Sequence, residues 1–180
     1  ASGNTIARFY GLMADGLYQS NDFKVDGTLR PGLPVSTYRS NVQPGDVKYV
    51  DLNGDGRIDA NDCAYQLYAA LPQIYYGFNI ELEWRGFGLN AYFQGMGRST
   101  VTTTLASIYQ PLYGNERNIS EHYMENRWSP YNTSGHYPRL TTQSNANNFA
   151  PSSLWTECGD FLKLRTLSLS YKLPARLASK

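Results

Sequence analysis

Residues 51–62, Asp51-Leu52-Asn53-Gly54-Asp55-Gly56-Arg57-Ile58-Asp59-Ala60-Asn61-Asp62, carry oxygen-bearing side chains at the first, third, fifth, ninth and twelfth positions of one short run (Asp51, Asn53, Asp55, Asp59, Asp62). That spacing is suited to a hard divalent cation. Ca²⁺ takes roughly six to eight oxygen ligands, and an EF-hand-like calcium loop supplies most of them from a single segment. Gly56 stands where such a loop turns sharply, the carbonyl of Arg57 follows as a main-chain ligand, and Ile58 is the apolar anchor. The closing residue is Asp62 where an EF-hand has Glu, and its shorter side chain makes bidentate closure harder. The competing reading is an ordinary turn, since Asp, Asn and Gly tolerate left-handed conformations and bond their own backbone. A plain turn, however, does not call for oxygens at alternate positions over this length. There is one copy, and neither flank reads as an amphipathic helix: Pro44-Gly45 lies just before it, and residues 65–72 are short and end in proline. A bound ion here is expected to staple structure rather than to signal.

No second constellation points to catalysis. His122 and His136 are isolated from any nucleophile motif and read as solvated loop histidines. Glu81 and Glu83 fall on the same side of a strand, with nothing to supply an opposing acid across a cleft. Asn118-Ile119-Ser120 and Asn132-Thr133-Ser134 match the glycosylation acceptor pattern. The formal net charge of +1 gives no electrostatic case for nucleic acid. The chain is not expected to be an enzyme.

The elements that would position these residues are strands. The 180 residues include 15 Tyr and 16 Gly with many Asn, Ser and Thr, which favours sheet and long polar loops over helix. In residues 73–84 the even positions are apolar (Ile74, Tyr76, Phe78, Ile80, Leu82, Trp84), while Gly77, Asn79, Glu81 and Glu83 alternate with them. After Arg85-Gly86 the alternation resumes with Phe87, Leu89, Ala91 and Phe93. Two such runs about a two-residue turn containing Gly predict a hairpin. Each strand runs about 10 to 12 residues, long for a globular protein but suited to crossing a bilayer at a tilt. Its alternation fits a membrane barrel and a soluble sandwich equally. A third run, 161–173, switches apolar phase between Leu164 and Leu167, which predicts a bulge near Arg165, and Pro174 ends it. Residues 6–18 read as a strand followed by a turn at Ala14-Asp15-Gly16. Residues 116–128 read as one helix with Ser120 as cap, and 132–153 as loop. No stretch approaches the length of a transmembrane helix, which does not exclude strands that cross a membrane. The ends of the chain read as cuts in something longer.

Several motifs, taken in order, resemble the C-terminal barrel region of the SusC/RagA-type TonB-dependent outer-membrane transporters. They are residues 14–20 (Ala-Asp-Gly-Leu-Tyr-Gln-Ser), residues 44–56 from Pro44-Gly45-Asp46 to Gly56, and Tyr76-Gly77-Phe78-Asn79 with residues 86–95. Arg127-Trp128-Ser129-Pro130, Tyr137-Pro138-Arg139, Asp160-Phe161-Leu162-Lys163-Leu164-Arg165 and Ser170-Tyr171-Lys172-Leu173-Pro174 complete the set. The resemblance covers nearly the whole chain but only part of such a protein, without its plug or most of its strands. It implies an all-β fold: antiparallel long-strand hairpins from a transmembrane β-barrel of the bacterial outer membrane, with the calcium loop 51–62 and a long external loop, 98–160. It implies import of oligosaccharides or peptides, with a SusD-like surface lipoprotein as lid and energy from the TonB system through the missing plug region.

In that setting the apolar side of the hairpin meets lipid, and Tyr109, Tyr113, Trp128, Tyr131 and Tyr137 are the candidates for contact with a glycan or peptide substrate or with the lid. For Trp128 and Tyr137 packing within the loop is an equal alternative. Tight barrel turns face the periplasm, which puts Arg85-Gly86 there and both Cys63 and Cys158 on the extracellular side. A Cys63–Cys158 disulfide and two separate buried thiols both remain open for them. The contrasting function is a soluble, secreted, calcium-stabilised β-module binding carbohydrate or protein. The loop also resembles a dockerin repeat, although dockerins carry two copies.

Overall fold

The computed structural model describes residues 8–103, 105, 108–115 and 117–173. Among these lie the strands β1 (Arg8–Leu12), β2 (Ala14–Leu17), β3 (Val35–Ser36), β4 (Val47–Tyr49), β5 (Arg57–Ile58), β6 (Cys63–Ala69), β7 (Ile74–Trp84), β8 (Phe87–Gly97), β9 (Thr100–Thr102), β10 (Thr156–Cys158) and β11 (Phe161–Tyr171), with one α-helix, α1 (Glu121–Asn126). The all-β expectation holds. No closed barrel forms from these strands, and among the described residues no helix is long and apolar enough to cross a membrane. The residues group into two compact units, one from 67–101 with 158–173, the other from 8–66 with 102–157.

The first unit is an antiparallel sheet in the order β11-β8-β7. Arg85 and Gly86, with φ of 47° and 88°, make the turn between β7 and β8, as the left-handed pair of a tight hairpin requires. Register sorts the side chains by face. Tyr76, Phe78, Ile80, Leu82 and Trp84 stand opposite Gly95, Phe93, Ala91, Leu89 and Phe87. In β11 the pairing shifts between Leu164 and Thr166, leaving Arg165 as the extra residue. The bulge expected from the phase switch is therefore present, and it returns Leu167, Leu169 and Tyr171 to the same face as Leu162 and Leu164. The result is one continuous apolar face and one polar face carrying Asn79, Glu81, Glu83, Asn90, Gln94, Lys163, Ser168 and Ser170. The apolar face is open to solvent, with Leu169 75%, Trp84 68% and Leu167 65% exposed.

The second unit holds the core. One cluster joins Leu12, Leu17, Val47, Tyr49, Ile58, Trp128 and Ala150; another is aromatic, built from Tyr123, Tyr137, Phe149 and Trp155; a third is Tyr18, Phe23 and Val42. Here sequence reading needs correction. Ala14-Asp15-Gly16 is not a free turn but part of β2, which pairs with β4 through a register shift around Gly16. The helix is one short stretch: Ser120 does cap it, accepting from Tyr123 N at 3.1 Å, but Asn126 donates from Nδ2 to the His122 carbonyl at 2.8 Å and Arg127 is already extended. Ile6, Glu116 and Pro174, which bounded three of the expected elements, lie outside the described residues.

Candidate functional site

Residues 51–62 fold as a chain of local carboxylate-to-amide bonds. Asp51 accepts from Gly54 N (2.7 Å) and Gly56 N (2.8 Å), Asn53 Oδ1 from Asp55 N (2.9 Å), Asp55 Oδ1 from Arg57 N (2.8 Å), and Asp59 Oδ1 from Asn61 N (2.7 Å). Asp62 is fully buried; its Oδ1 accepts from Leu52 N at 2.9 Å and its Oδ2 from Asp59 N at 2.8 Å. It braces the loop from inside. The β3–β5 ladder takes the carbonyls of Gly56 and Ile58, from Val35 N and Thr37 N, so by strand alternation the Arg57 carbonyl points away from β3. The donor types suit calcium. Their convergence does not follow from them: among the described residues no three His, Cys, Asp or Glu side chains gather into a metal-binding group.

The aromatic candidates separate by burial. Trp128 and Tyr137 are each 7% exposed, and Tyr137 stacks on Tyr123 at 4.7 Å between ring centroids. Tyr109 donates from its hydroxyl to the Phe149 carbonyl at 2.6 Å and sits edge-on to Trp155. Trp128 and Tyr137 thus pack within the unit, the alternative left open for them, and Tyr109 is half-buried with its hydroxyl bonded. Tyr113 remains exposed. Tyr131 is fully exposed at the tip of a tight turn closed by Asn132 N to the Ser129 carbonyl at 2.9 Å, with Asn132 Nδ2 donating to the Arg127 carbonyl.

Cys63 and Cys158 are both free thiols. The Cys63 side chain packs against the first core cluster, whereas Cys158 is exposed, so only one of the two is sheltered. Burial, with Asp62 and Asp59 alongside, pushes the Cys63 thiol up and away from the reactive thiolate.

Sequence reading missed the polar centre of this unit. Asp46, fully buried, accepts at Oδ1 from Arg139 Nε (2.7 Å), Asn148 Nδ2 (3.0 Å) and Asn145 Nδ2 (3.1 Å), and at Oδ2 from Gln43 N (2.9 Å). Asn148 Oδ1 and Asn147 Nδ2 then satisfy the amide and carbonyl of Val47, acting as a substitute strand beside β4. Gly45, at φ 85°, passes under the Trp128 ring where a Cβ has no room. Residues 44–46, Trp128 and residues 137–139, separate motifs in the sequence, thus meet in one place. Nearby, burial and the carboxylates of Asp22 and Asp46 raise the Tyr18 phenol to about 12.

The chain is similar in sequence to TonB-dependent receptors and in fold to part of the RagAB transporter. No family model matches the chain. Two curated relatives from Formosa agariphila do: TonB-dependent receptor P3, 29% identical over 99% of this chain, and TonB-dependent receptor P26, 28% identical over 96% of it. The chain spans 16% of the length of each. Among solved structures, the RagAB peptide transporter superposes with a TM-score of 0.58 at 20% identity, over 96% of this chain and 17% of that one. The RagAB peptide importer in its open-open state gives 0.57 at 19% identity, over 96% and 16%. The resemblance to the SusC/RagA-type receptors is borne out.

Proposed function

We propose that the chain is part of an outer-membrane TonB-dependent importer of oligosaccharides or peptides that works with a SusD-like surface lipoprotein. One observation carries the reading: a three-stranded sheet with one polar face and one continuous apolar face whose side chains are exposed. Strands of 11 residues extend about 36 Å at the usual rise. Tilted as barrel strands are, they cover an apolar band of about 25 Å. The soluble-module alternative would leave this face in water, which a soluble protein avoids. The names of the relatives support the importer reading, and so does the fold shared with RagAB.

Exposed Tyr113 and Tyr131 are the side chains proposed to meet the substrate or the lipoprotein, on the extracellular side. Tyr131 sits on a turn whose backbone is already fixed, so an aromatic face is offered at little ordering cost. In the full-length receptor, Tyr131→Ala combined with Tyr113→Ala should lower uptake while receptor abundance in the outer membrane stays level. A fall in abundance, with uptake per receptor unchanged, would return both residues to a packing role.

The loop 51–62 is proposed to take one Ca²⁺ through Asp51, Asn53, Asp55, Asp59 and the Arg57 carbonyl, with Asp62 as brace. Calcium would neutralise a run of carboxylates that otherwise rely on backbone amides. Binding to the folded state alone raises stability by mass action, about 2.7 kcal/mol at a hundredfold excess over Kd. Calorimetry should show melting rise with free calcium and fall on chelation, and Asp55→Ala should remove the response. Equal melting with calcium and with chelator ends the assignment.

A further inference from the structure

We infer that Asn53 is a site of self-modification, at which the folded loop promotes conversion of its side-chain amide to a carboxylate. Asn53 is the one asparagine of the chain that is followed by glycine. Gly54 has no Cβ to shield its nitrogen, holds a left-handed φ of 74°, and is exposed along with Asn53. The backbone nitrogen of Gly54 is the nucleophile and Cγ of Asn53 the electrophile, joined by a short tether that makes the attack intramolecular.

The loop places three further groups on the reacting atoms. The Gly54 N–H donates to Asp51 Oδ1 at 2.7 Å, so a carboxylate already holds the proton that must leave. Asn53 Oδ1, where negative charge develops on attack, accepts from Asp55 N at 2.9 Å. The departing nitrogen, Asn53 Nδ2, is held by Asp55 Oδ2 at 3.1 Å. The bond from Gly54 N to Cγ forms and the Cγ–Nδ2 bond breaks. The proton taken from Gly54 leaves with the amine as ammonia, and a succinimide ring remains. Water then opens that ring at either carbonyl, giving aspartate or isoaspartate. No ion or oxidant takes part; because Asp51, Asn53 and Asp55 are also the proposed calcium ligands, the reaction belongs to the calcium-free loop.

The product differs in ways the loop would register. The formal net charge of +1 falls by one, and the bond from Asn53 Nδ2 to Asp55 gives way to two carboxylates facing each other. Isoaspartate also lengthens the main chain inside the alternating run.

The test is a time course of the intact 180-residue chain in mildly alkaline buffer with a chelator, followed by peptide mapping with isoaspartate detection. The residue 53 peptide should acquire the mass of the acid before any other asparagine peptide, with isoaspartate in the product. Asp51→Asn should slow it several-fold. As a check free of any variant, the native chain unfolded in urea should convert more slowly at Asn53 than the folded chain, because the loop's hydrogen bonds are gone. Conversion of another asparagine first, an unchanged rate in Asp51→Asn, or equal or faster conversion in urea would each overturn the inference.

Discussion

Replacing Asp46 with alanine should lower the unfolding free energy by on the order of 3–5 kcal/mol, the range for breaking a buried ion pair from one side. The carboxylate is fully buried and answers four donors at once: Arg139 Nε, the amides of Asn145 and Asn148, and the backbone N–H of Gln43. Its loss strands them together. Each buried donor left without an acceptor costs about 1–3 kcal/mol, and no water-sized route from solvent is needed for the penalty to apply. The damage should spread, because Asn148 also accepts from Val47 N through Oδ1 and from Trp155 Nε1 through its carbonyl. By contrast Asp15→Ala removes only the 3.3 Å surface contact to Lys48 and should cost under about 1 kcal/mol. Urea unfolding of the two variants checks both values through the midpoint at constant slope. If Asp46→Ala behaves like Asp15→Ala, the cluster does not hold the unit together.

The contrast also shows which parts of this chain are legible from sequence. The sheet of β7, β8 and β11 is legible because a strand has a period of two. The same rule that sorts Ile80 from Asn79 also exposes the phase switch, and the switch locates the bulge at Arg165. The Arg85-Gly86 turn is local chemistry and equally readable. The Asp46 centre is not, since its side-chain partners lie 93 to 102 residues away and nothing periodic links them. Opposite charges in two of the family-like segments, Asp46 and Arg139, were the available signal. Aromatic identity does not say whether a ring is buried: Trp128 and Tyr131 are three residues apart, one in the core and one wholly in solvent. In the calcium-like loop the order of oxygens was plain from sequence. What each oxygen binds was not, because Asp, Asn and Gly serve a self-bonded turn as readily as an ion.

The strongest discrimination of the membrane reading comes from two neighbouring residues at the middle of β7. Ile80 stands opposite Ala91 on the apolar face, and Asn79 stands opposite Tyr92 on the polar one. They share one depth along the strand and differ only in the side to which they project. In the full-length receptor refolded into lipid vesicles, Ile80→Arg should cost about 2–4 kcal/mol, the penalty for a guanidinium held near the bilayer midplane. Asn79→Arg should cost far less. Its side chain would lie on the wet wall, where Asn79 Nδ2 now donates to Glu81 Oε1 at 2.7 Å, so an arginine there finds a carboxylate within reach. A soluble sheet would reverse neither face, but it would shrink the gap, because an arginine on an exposed apolar surface can lift its charge into water. Equal costs at the two positions would therefore remove lipid from the apolar face, and the importer proposal with it.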